Sequence, residues 1–168
     1  MATVKELPWI VTAETLMFTR ETPGPSSTPR IIRWAKAIGG FTTRYYTTDS
    51  IPWCGLFVAW CLKANDIQIT IENPLSALAW NKFGKDVDPC YGAIMVFSRS
   101  GGGHVGFYVS EDANYYHILG GNQSDAVNIT RIAKNRFVGA RWPSGYEKLM
   151  TPGSIIRTFD GQISTNEA

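Results

Sequence analysis

One cysteine and one histidine are the residues of this chain whose types and surroundings could do chemistry together. Cys54 lies in the run PWCGLFVAWCL, just after a proline at the expected start of a helix. His104 lies in GGGHVGFYV, at the expected start of a strand, and is one of two histidines in the chain. A helix N-terminus favours a thiolate, and an imidazole can take and return a proton. The pair predicts a thiol nucleophile with its base.

The other cysteines indicate how Cys54 differs from a structural cysteine. Most lone cysteines are small buried apolar residues, and Cys61, two helical turns further on, is assigned to the core. Residues seven apart on one helix are separated by roughly 10 Å along its axis, which is too far for a disulfide. Cys54, Cys61 and His104 could hold zinc only in principle, since no CxxC or HxxxH spacing accompanies them. We expect neither a metal nor a cofactor.

A third polar group is expected to orient the imidazole, and a predicted hairpin places one. The predicted strands His104–Ser110 and Tyr115–Gly121 flank the sequence EDAN. A loop centred on Ala113 would pair residues whose numbers sum to 226. His104 then lies opposite Asn122, with Cβ atoms roughly 5 Å apart. Gly106 and Gly120 face each other beside them and leave space. The counting predicts Cys54, His104 and Asn122 as the catalytic set.

His117 is the alternative third catalytic residue. In the register above it lies on the opposite face of the hairpin from His104, but a slip of one residue would reverse this. The structural alternative is a hydrogen-bonded histidine near the edge of the sheet.

Four further residues are candidates for contact with a substrate: Trp53, Tyr46, Gln123 and Trp80. Each has a structural alternative, since the aromatic residues suit a core equally well and Gln123 could simply finish a turn. Asp49 is expected to cap the helix that follows it rather than to act as a catalytic acid.

The secondary structure that must position these residues changes from helices to strands along the chain. Apolar residues at helical spacing predict helices from Pro8, from Pro29 to Ile38, over 52–64 and over 76–83, with a loop over 41–52. The third helix is apolar on nearly all sides, which is typical of a buried central helix.

The second half alternates polar and apolar residues. It predicts strands at Ala93–Phe97, His104–Ser110, Tyr115–Gly121, Val127–Ile132 and Phe137–Trp142. The layout is therefore α+β, with N-terminal helices packed on an antiparallel sheet of about five strands. We expect one domain over residues 1–143 and a C-terminal tail over 144–168, which holds at most a short strand at Ile155–Phe159.

Composition excludes several classes of function. The chain has 168 residues, 44% hydrophobic and 18% charged, which suits one folded domain. Its net charge is +2 with no basic run, so nucleic acid is not an expected partner. No apolar stretch is long enough for a signal peptide or a membrane span. We expect a monomer that is made in the cytoplasm.

Four segments resemble the cysteine, histidine-dependent amidohydrolase/peptidase (CHAP) domains and the related NlpC-type cell-wall peptidases. They are PWCGLFVAWCL, GAIMVFSRSGGGHVGFYV, YHILGGNQSDAVNITRI and GARWP, within residues 6–143. The resemblance implies a papain-like fold and hydrolysis of an amide bond in bacterial peptidoglycan. Members of these families are often phage lysins or virion-associated enzymes.

The resemblance implies Cys54 as nucleophile, His104 as base and Asn122 as the orienting group. Many CHAP domains carry a glutamate two residues before that asparagine, and here the position is Gly120. The imidazolium would then lack a nearby carboxylate, and the set would resemble that of papain. NlpC-type members often use a second histidine, which keeps His117 as the alternative.

The expected function is a cysteine amidase or endopeptidase that cleaves peptidoglycan, as an N-acetylmuramoyl-L-alanine amidase or on a peptide bond. Such a phage endolysin or virion-associated lysin would reach the cell wall by release at lysis, on a virion or by injection. Two alternatives remain: a deamidase or acyltransferase toxin on the same fold, and a non-catalytic structural or binding module of a phage or secretion assembly.

Overall fold

The computed structural model describes residues 3–167 and has an α+β architecture. Four α-helices come first: α1 (Pro8–Thr15), α2 (Pro29–Ile38), α3 (Gly40–Tyr45) and α4 (Cys54–Lys63). Short 3-10 helices follow at Ala77–Lys82, Lys134–Arg136 and Glu147–Leu149. None of the helices within residues 3–167 is both long and apolar enough to cross a bilayer.

The strands form one antiparallel sheet in the order β1-β6-β2-β3-β4-β5. Their bounds are β1 (Lys85–Val87), β2 (Ile94–Arg99), β3 (Gly102–Glu111), β4 (Tyr115–Gly120), β5 (Asn128–Ala133) and β6 (Phe137–Trp142). The five predicted strands are confirmed as β2 to β6. The sheet has a sixth strand, β1, which was not predicted because three mostly exposed residues are too few to show an alternating pattern.

Helix α4 lies at the centre of the molecule, as its uniform apolarity predicts. Leu56, Phe57 and Val58 are completely buried. The Phe57 ring lies 6.0 Å from Trp34 of α2 on one side and 6.2 Å from Phe107 of β3 on the other, measured between ring centroids. Burial of each such side chain stabilises the fold by about 1.5–3 kcal/mol, so the start of α4 is firmly fixed on the sheet.

The expected loop over 41–52 is wrong in its first half, where the chain forms α3. Gly39 both ends α2 and precedes α3, with φ values of 80° at Gly39 and 55° at Gly40. Left-handed backbone of this kind suits glycine and turns the chain sharply. The glycine pair therefore ends one helix and begins the next.

The prediction that Asp49 caps α4 is also wrong. Its Oδ2 accepts the backbone N–H groups of Thr22 and Thr28 at 2.8 and 2.7 Å, so it fastens the loop between α1 and α2. The N-cap of α4 is Trp53, which makes no capping bond with its side chain. No side chain therefore caps the first turn of α4, which begins with Cys54.

The hairpin of β3 and β4 has the predicted register over part of its length. Phe107 pairs with Leu119 and Tyr108 with Ile118, both of which sum to 226. An irregularity after Tyr108 shifts the pairing by one residue toward the turn. At the other end, β4 stops at Gly120, two residues before the predicted partner of His104.

The segment after β6 packs along the sheet within the described residues. It makes isolated parallel bridges from Ile156 to Glu111 of β3 and from Ile163 to Arg131 of β5. The second bridge pairs backbone groups on the edge strand β5, which would otherwise be free to pair with another chain. The bridges guide residues 164–167 toward the start of β3.

Candidate active site

Cys54 is the first residue of α4, and its neighbour Gly55 makes room for the loop that follows the helix. A Cβ atom at Gly55 would lie 2.1 Å from the carbonyl oxygen of Pro74. Only glycine therefore allows this backbone to approach the helix so closely. The approach places Asn73 and Ser76 beside the cysteine.

The cysteine opens onto a crevice of about 380 Å³. Cys54 is only 4% exposed, so the crevice is the route by which a substrate reaches the thiol. The other lining residues are Phe41, Tyr45, Ile51, Pro52, Asn73, Leu75, Ser76, Ala77, Leu78, Arg99, Gly102 and Gly103. A crevice of similar volume, about 390 Å³, lies at the far end of α4 and is lined by no cysteine or histidine.

His104 is completely buried near the start of β3, where Gln123 holds its ring. The Gln123 Oε1 lies 2.9 Å from His104 Nε2. The Gln123 amide nitrogen donates to the carbonyl oxygens of Ile118 and Asn128, which fixes Oε1 as the atom that faces the ring. A carbonyl oxygen can only accept, so Nε2 carries a proton and Nδ1 of the neutral ring is the basic nitrogen.

Nδ1 is the ring nitrogen that remains for the thiol. It makes no regular hydrogen bond to any residue within 3–167, and it is completely buried. The Cys54 side chain interacts with the ring, and an oxygen of the Glu167 carboxylate lies 4.0 Å from Nδ1. An unpaired buried acceptor beside a thiol is well placed to receive the thiol proton.

The surroundings of Cys54 favour its thiolate. Burial by itself would raise the pKa of the thiol, but His104 and the backbone groups of Val105 and Gly55 outweigh it, so the pKa lies below its ordinary value. The imidazole shows the complementary change. Burial would lower its pKa, but Cys54, Glu167 and Gln123 together raise it above the ordinary value. The two shifts favour a thiolate–imidazolium pair.

Asn122 does not occupy the predicted place behind the ring. The chain leaves β4 after Gly120, and Asn122 has left-handed backbone with φ of 57°. Its side-chain nitrogen donates to the backbone oxygen of Glu167 at 3.0 Å. Gln123, predicted as a substrate contact, makes the hydrogen bond to His104 instead. A Cβ atom at residue 120 would lie 2.5 Å from the Gln123 Oε1, so Gly120 provides the space for this bond.

His117 lies elsewhere and bonds to other residues. Its Nδ1 is 2.6 Å from the Ser110 hydroxyl, and its Nε2 is 2.9 Å from the Asp112 carboxylate. These contacts are near the turn of the hairpin, at the opposite end from His104. Both ring nitrogens of His117 are therefore bonded to residues other than His104, as in the structural alternative.

The other predicted substrate contacts are buried under the site rather than exposed in it. Trp53 and Trp80 are completely buried, and Tyr46 is 2% exposed. Trp53 donates its indole N–H to the Glu21 carboxylate at 2.9 Å, and Trp80 donates to the Pro74 carbonyl at 3.0 Å. These side chains support the walls of the crevice and do not line it.

Two exposed aromatic residues, Phe41 and Tyr45, form one wall of the crevice instead. Their rings stack at 5.3 Å with an interplanar angle of 12°. They are 41% and 58% exposed. Both lie on α3 at a spacing of four residues, which brings side chains to one face of a helix. This spacing was visible in the sequence, but the prediction of a loop concealed it.

Glu167 is a further residue of the site that the sequence does not predict. Its side chain is buried beside His104, 63 residues along the chain from it, and no local pattern connects the two. The described residues contain no group of three or more histidine, cysteine, aspartate or glutamate side chains arranged to hold a metal ion. The polar groups around the reacting pair include the Gln123 amide and the Glu167 carboxylate.

Comparison with known protein families agrees with this geometry. The model of the CHAP domain matches residues 46–122, a segment that contains Cys54 and His104 and ends beside Gln123. No curated protein and no solved structure shows significant similarity to the chain. The segment that carries the candidate nucleophile and base is therefore similar to the CHAP domain.

Proposed function

We propose that this protein is a cysteine amidase or endopeptidase that hydrolyses an amide bond of bacterial peptidoglycan. Its match to the CHAP domain supports a peptidoglycan hydrolase of amidase type in general terms. The observation that carries the finer proposal is the pairing of Cys54 with His104 at the base of an open crevice. Cys54 stands at an uncapped helix start, and the only unpaired ring nitrogen of His104 is left for its thiol.

The first half of the reaction is attack by the thiol. His104 Nδ1 takes the proton of Cys54, and the thiolate sulfur forms a bond to the amide carbonyl carbon. Negative charge develops on the carbonyl oxygen, where the backbone N–H groups at the start of α4 stabilise it. The imidazolium then gives its proton to the nitrogen as the carbon–nitrogen bond breaks, which releases the amine and leaves a thioester on Cys54.

The second half hydrolyses this thioester. His104 takes a proton from a water molecule as its oxygen attacks the thioester carbon. The carbon–sulfur bond breaks, the carboxylic acid leaves and Cys54 is regenerated. Gln123 accepts a hydrogen bond from Nε2 throughout, which keeps Nδ1 directed at the reacting atoms.

The substrate is proposed to lie along the crevice with an apolar portion on Phe41 and Tyr45. These exposed stacked rings offer a flat apolar face, which a sugar ring or an alkyl portion of a stem peptide can cover. Arg99 lines the same crevice and offers a positive charge to the acidic groups of a stem peptide. The enzyme is further proposed to act at the cell wall after release at lysis, delivery on a virion or injection.

The test is digestion of purified sacculi by the wild-type protein and by Cys54→Ala. We expect the substitution to reduce hydrolysis by several orders of magnitude, since nothing else in the crevice can form the thioester. Mass spectrometry of the wild-type digest will identify each new free amine and therefore the bond that is cut. A free N-terminal alanine indicates an amidase, whereas a new amine within the peptide indicates an endopeptidase.

Cys90→Ala provides the matched control, since it removes the same atoms from a buried cysteine that does not line the crevice. It should digest sacculi at the wild-type rate. Clearance of sacculi by Cys54→Ala at near wild-type rate contradicts the proposal, and so does a wild-type protein that releases no amine.

A further inference from the structure

Glu167 is a buried carboxylate that the reaction above does not use. Its side chain is completely buried, and an oxygen of it lies 4.0 Å from Nδ1 of His104. The residue lies 45 positions beyond Asn122, where the family match ends. A buried charge is costly unless it is paired, so its placement beside the imidazole requires a partner that holds it there.

Arg136 is that partner. Its two terminal nitrogens donate to the two Glu167 oxygens at 2.5 and 3.2 Å, which is a bidentate pair. Arg136 itself is held by the backbone oxygens of Ser98 and Ser164, at 2.8 and 3.0 Å. The Ser164 hydroxyl donates to the carboxylate at 2.7 Å. The carboxylate is therefore held firmly in one position.

The same segment is tied to the loop that holds the ring. Asn122 donates to the backbone oxygen of Glu167, and the next residue, Gln123, accepts from the ring. Hydrogen bonds therefore join the end of the described chain to the loop that holds the His104 ring. The residues that line the crevice include none beyond Gly103, so the segment borders the imidazole without closing the entrance to the thiol.

We propose that Glu167 is a positioning residue for this reaction: its carboxylate stabilises the positive charge that His104 carries while Cys54 is a thiolate. The inference rests on the proposed function. The expectation that the imidazolium lacks a nearby carboxylate is wrong: residue 120 is glycine, but the C-terminal segment brings Glu167 to the ring. At about 4 Å, the opposite charges of the carboxylate and the imidazolium attract each other, and the positive charge of Arg136 on the same carboxylate reduces this attraction.

The sign of the effect on pH dependence follows from the groups that face the ring. These are the Cys54 thiol from α4, the Glu167 carboxylate and, behind it, the Arg136 guanidinium. The carboxylate is one of the causes that raise the pKa of His104, after the Cys54 side chain. The imidazolium must be present to protonate the leaving amine, so hydrolysis is lost as pH rises through this pKa. Removal of the carboxylate should move that loss to lower pH.

The experiment is an NMR titration of ¹³C-labelled histidine in the full chain, comparing wild type with Glu167→Gln. The chain has two histidines, so each labelled ring position gives two signals. We expect the midpoint of His104 to fall by about one pH unit. In the pH profile of sacculus digestion, the alkaline limb should shift in the same direction. The rate at the pH optimum of the wild type should fall several-fold.

Two further variants separate charge from structure. Glu147→Gln removes a carboxylate that pairs with Lys85 at 2.6 Å on the surface, and it should leave His104 unchanged. Glu167→Asp keeps the charge but shortens its reach, so an intermediate midpoint is expected if the carboxylate acts by its distance from the ring. Glu167→Asp also provides the measurement if Glu167→Gln does not fold.

An unchanged His104 midpoint in Glu167→Gln overturns the role of Glu167. Faster digestion by Glu167→Gln overturns it as well, since the segment would then act as an inhibitor of the site. A wild-type chain that does not digest sacculi overturns the proposed function instead, and the titration, which needs no substrate, still measures the effect of the carboxylate on the ring.

Discussion

The two ends of helix α4 each carry a buried cysteine, and their surroundings give them opposite properties. At the first residue, His104 and nearby backbone groups lower the pKa of the Cys54 thiol despite its burial. Two turns later, burial acts unopposed and raises the pKa of Cys61 well above its ordinary value. Both cysteines share one helix and nearly the same burial. The position at the helix end and the neighbouring histidine therefore decide the direction of the change in thiol pKa, and the degree of burial does not.

The two histidines show the same contrast. Both are completely buried. His117 has a partner at each ring nitrogen, Ser110 and Asp112, so neither nitrogen is available for another group. His104 has one nitrogen held by Gln123 and the other left for the thiol. His104 can exchange a proton because one of its ring nitrogens is unused, whereas the fully paired ring of His117 holds the turn between β3 and β4 in place.

Thiol labelling tests the cysteine comparison most directly and has the largest expected effect. Iodoacetamide at pH 6 should modify Cys54 about a hundredfold faster than Cys61, because only Cys54 has a lowered pKa and a crevice that admits the reagent. Cys90, whose pKa burial and Asp88 raise to about 11, should be as slow as Cys61. Mass spectrometry of the digested protein gives each rate separately.

The unfolded chain is the control for this labelling. In urea the three thiols lose their surroundings, and their rates should agree within a few-fold. Slow and equal labelling of all three cysteines in the folded protein contradicts the comparison and favours a non-catalytic module.

The sequence predicts the nucleophile and the base because their signals are local. A proline and a cysteine before an apolar helix, and glycines before a histidine, are patterns within about ten residues. The β3–β4 register is predicted for the same reason, since it depends on one turn. The third residue is not, because β4 ends at Gly120 and residues 122, 124 and 125 adopt left-handed backbone, which redirects Gln123 toward the ring.

Features that depend on contacts between distant parts of the chain were not predicted from the sequence. Glu167 reaches His104 only because backbone pairing of Ile156 and Ile163 with two strands guides the C-terminal segment across the sheet. The wall formed by Phe41 and Tyr45 was missed because α3 has only six residues and was predicted as a loop. Both features depend on tertiary contacts, which outweigh local pattern in short segments.

Replacement of the group that holds the ring has the next largest effect. Gln123→Ala should reduce sacculus digestion by roughly ten- to a hundredfold, because His104 loses the acceptor that fixes its tautomer. Labelling of Cys54 should slow in parallel, while labelling of Cys61 stays the same. Thermal unfolding of each variant establishes the temperature range in which it is folded.

Asn122→Ala is the matched control, since it removes only the bond from the neighbouring side chain to the Glu167 carbonyl. Its expected loss is several-fold at most. A greater loss for Asn122→Ala than for Gln123→Ala would restore Asn122 as the residue that orients the ring during the reaction.

The smallest effect is expected at the other end of α4. Cys61→Ala leaves a small cavity in the core and should lower the free energy of unfolding by about 1–2 kcal/mol, seen as a fall of a few degrees in Tm. Digestion of sacculi below that Tm should stay within about twofold of wild type, because the thiol touches neither His104 nor the crevice. Loss of activity in a folded Cys61→Ala protein would show that reactivity is not confined to the N-terminal end of the helix. A fall in stability without loss of activity separates the two ends: one cysteine packs the core, and the other does the chemistry.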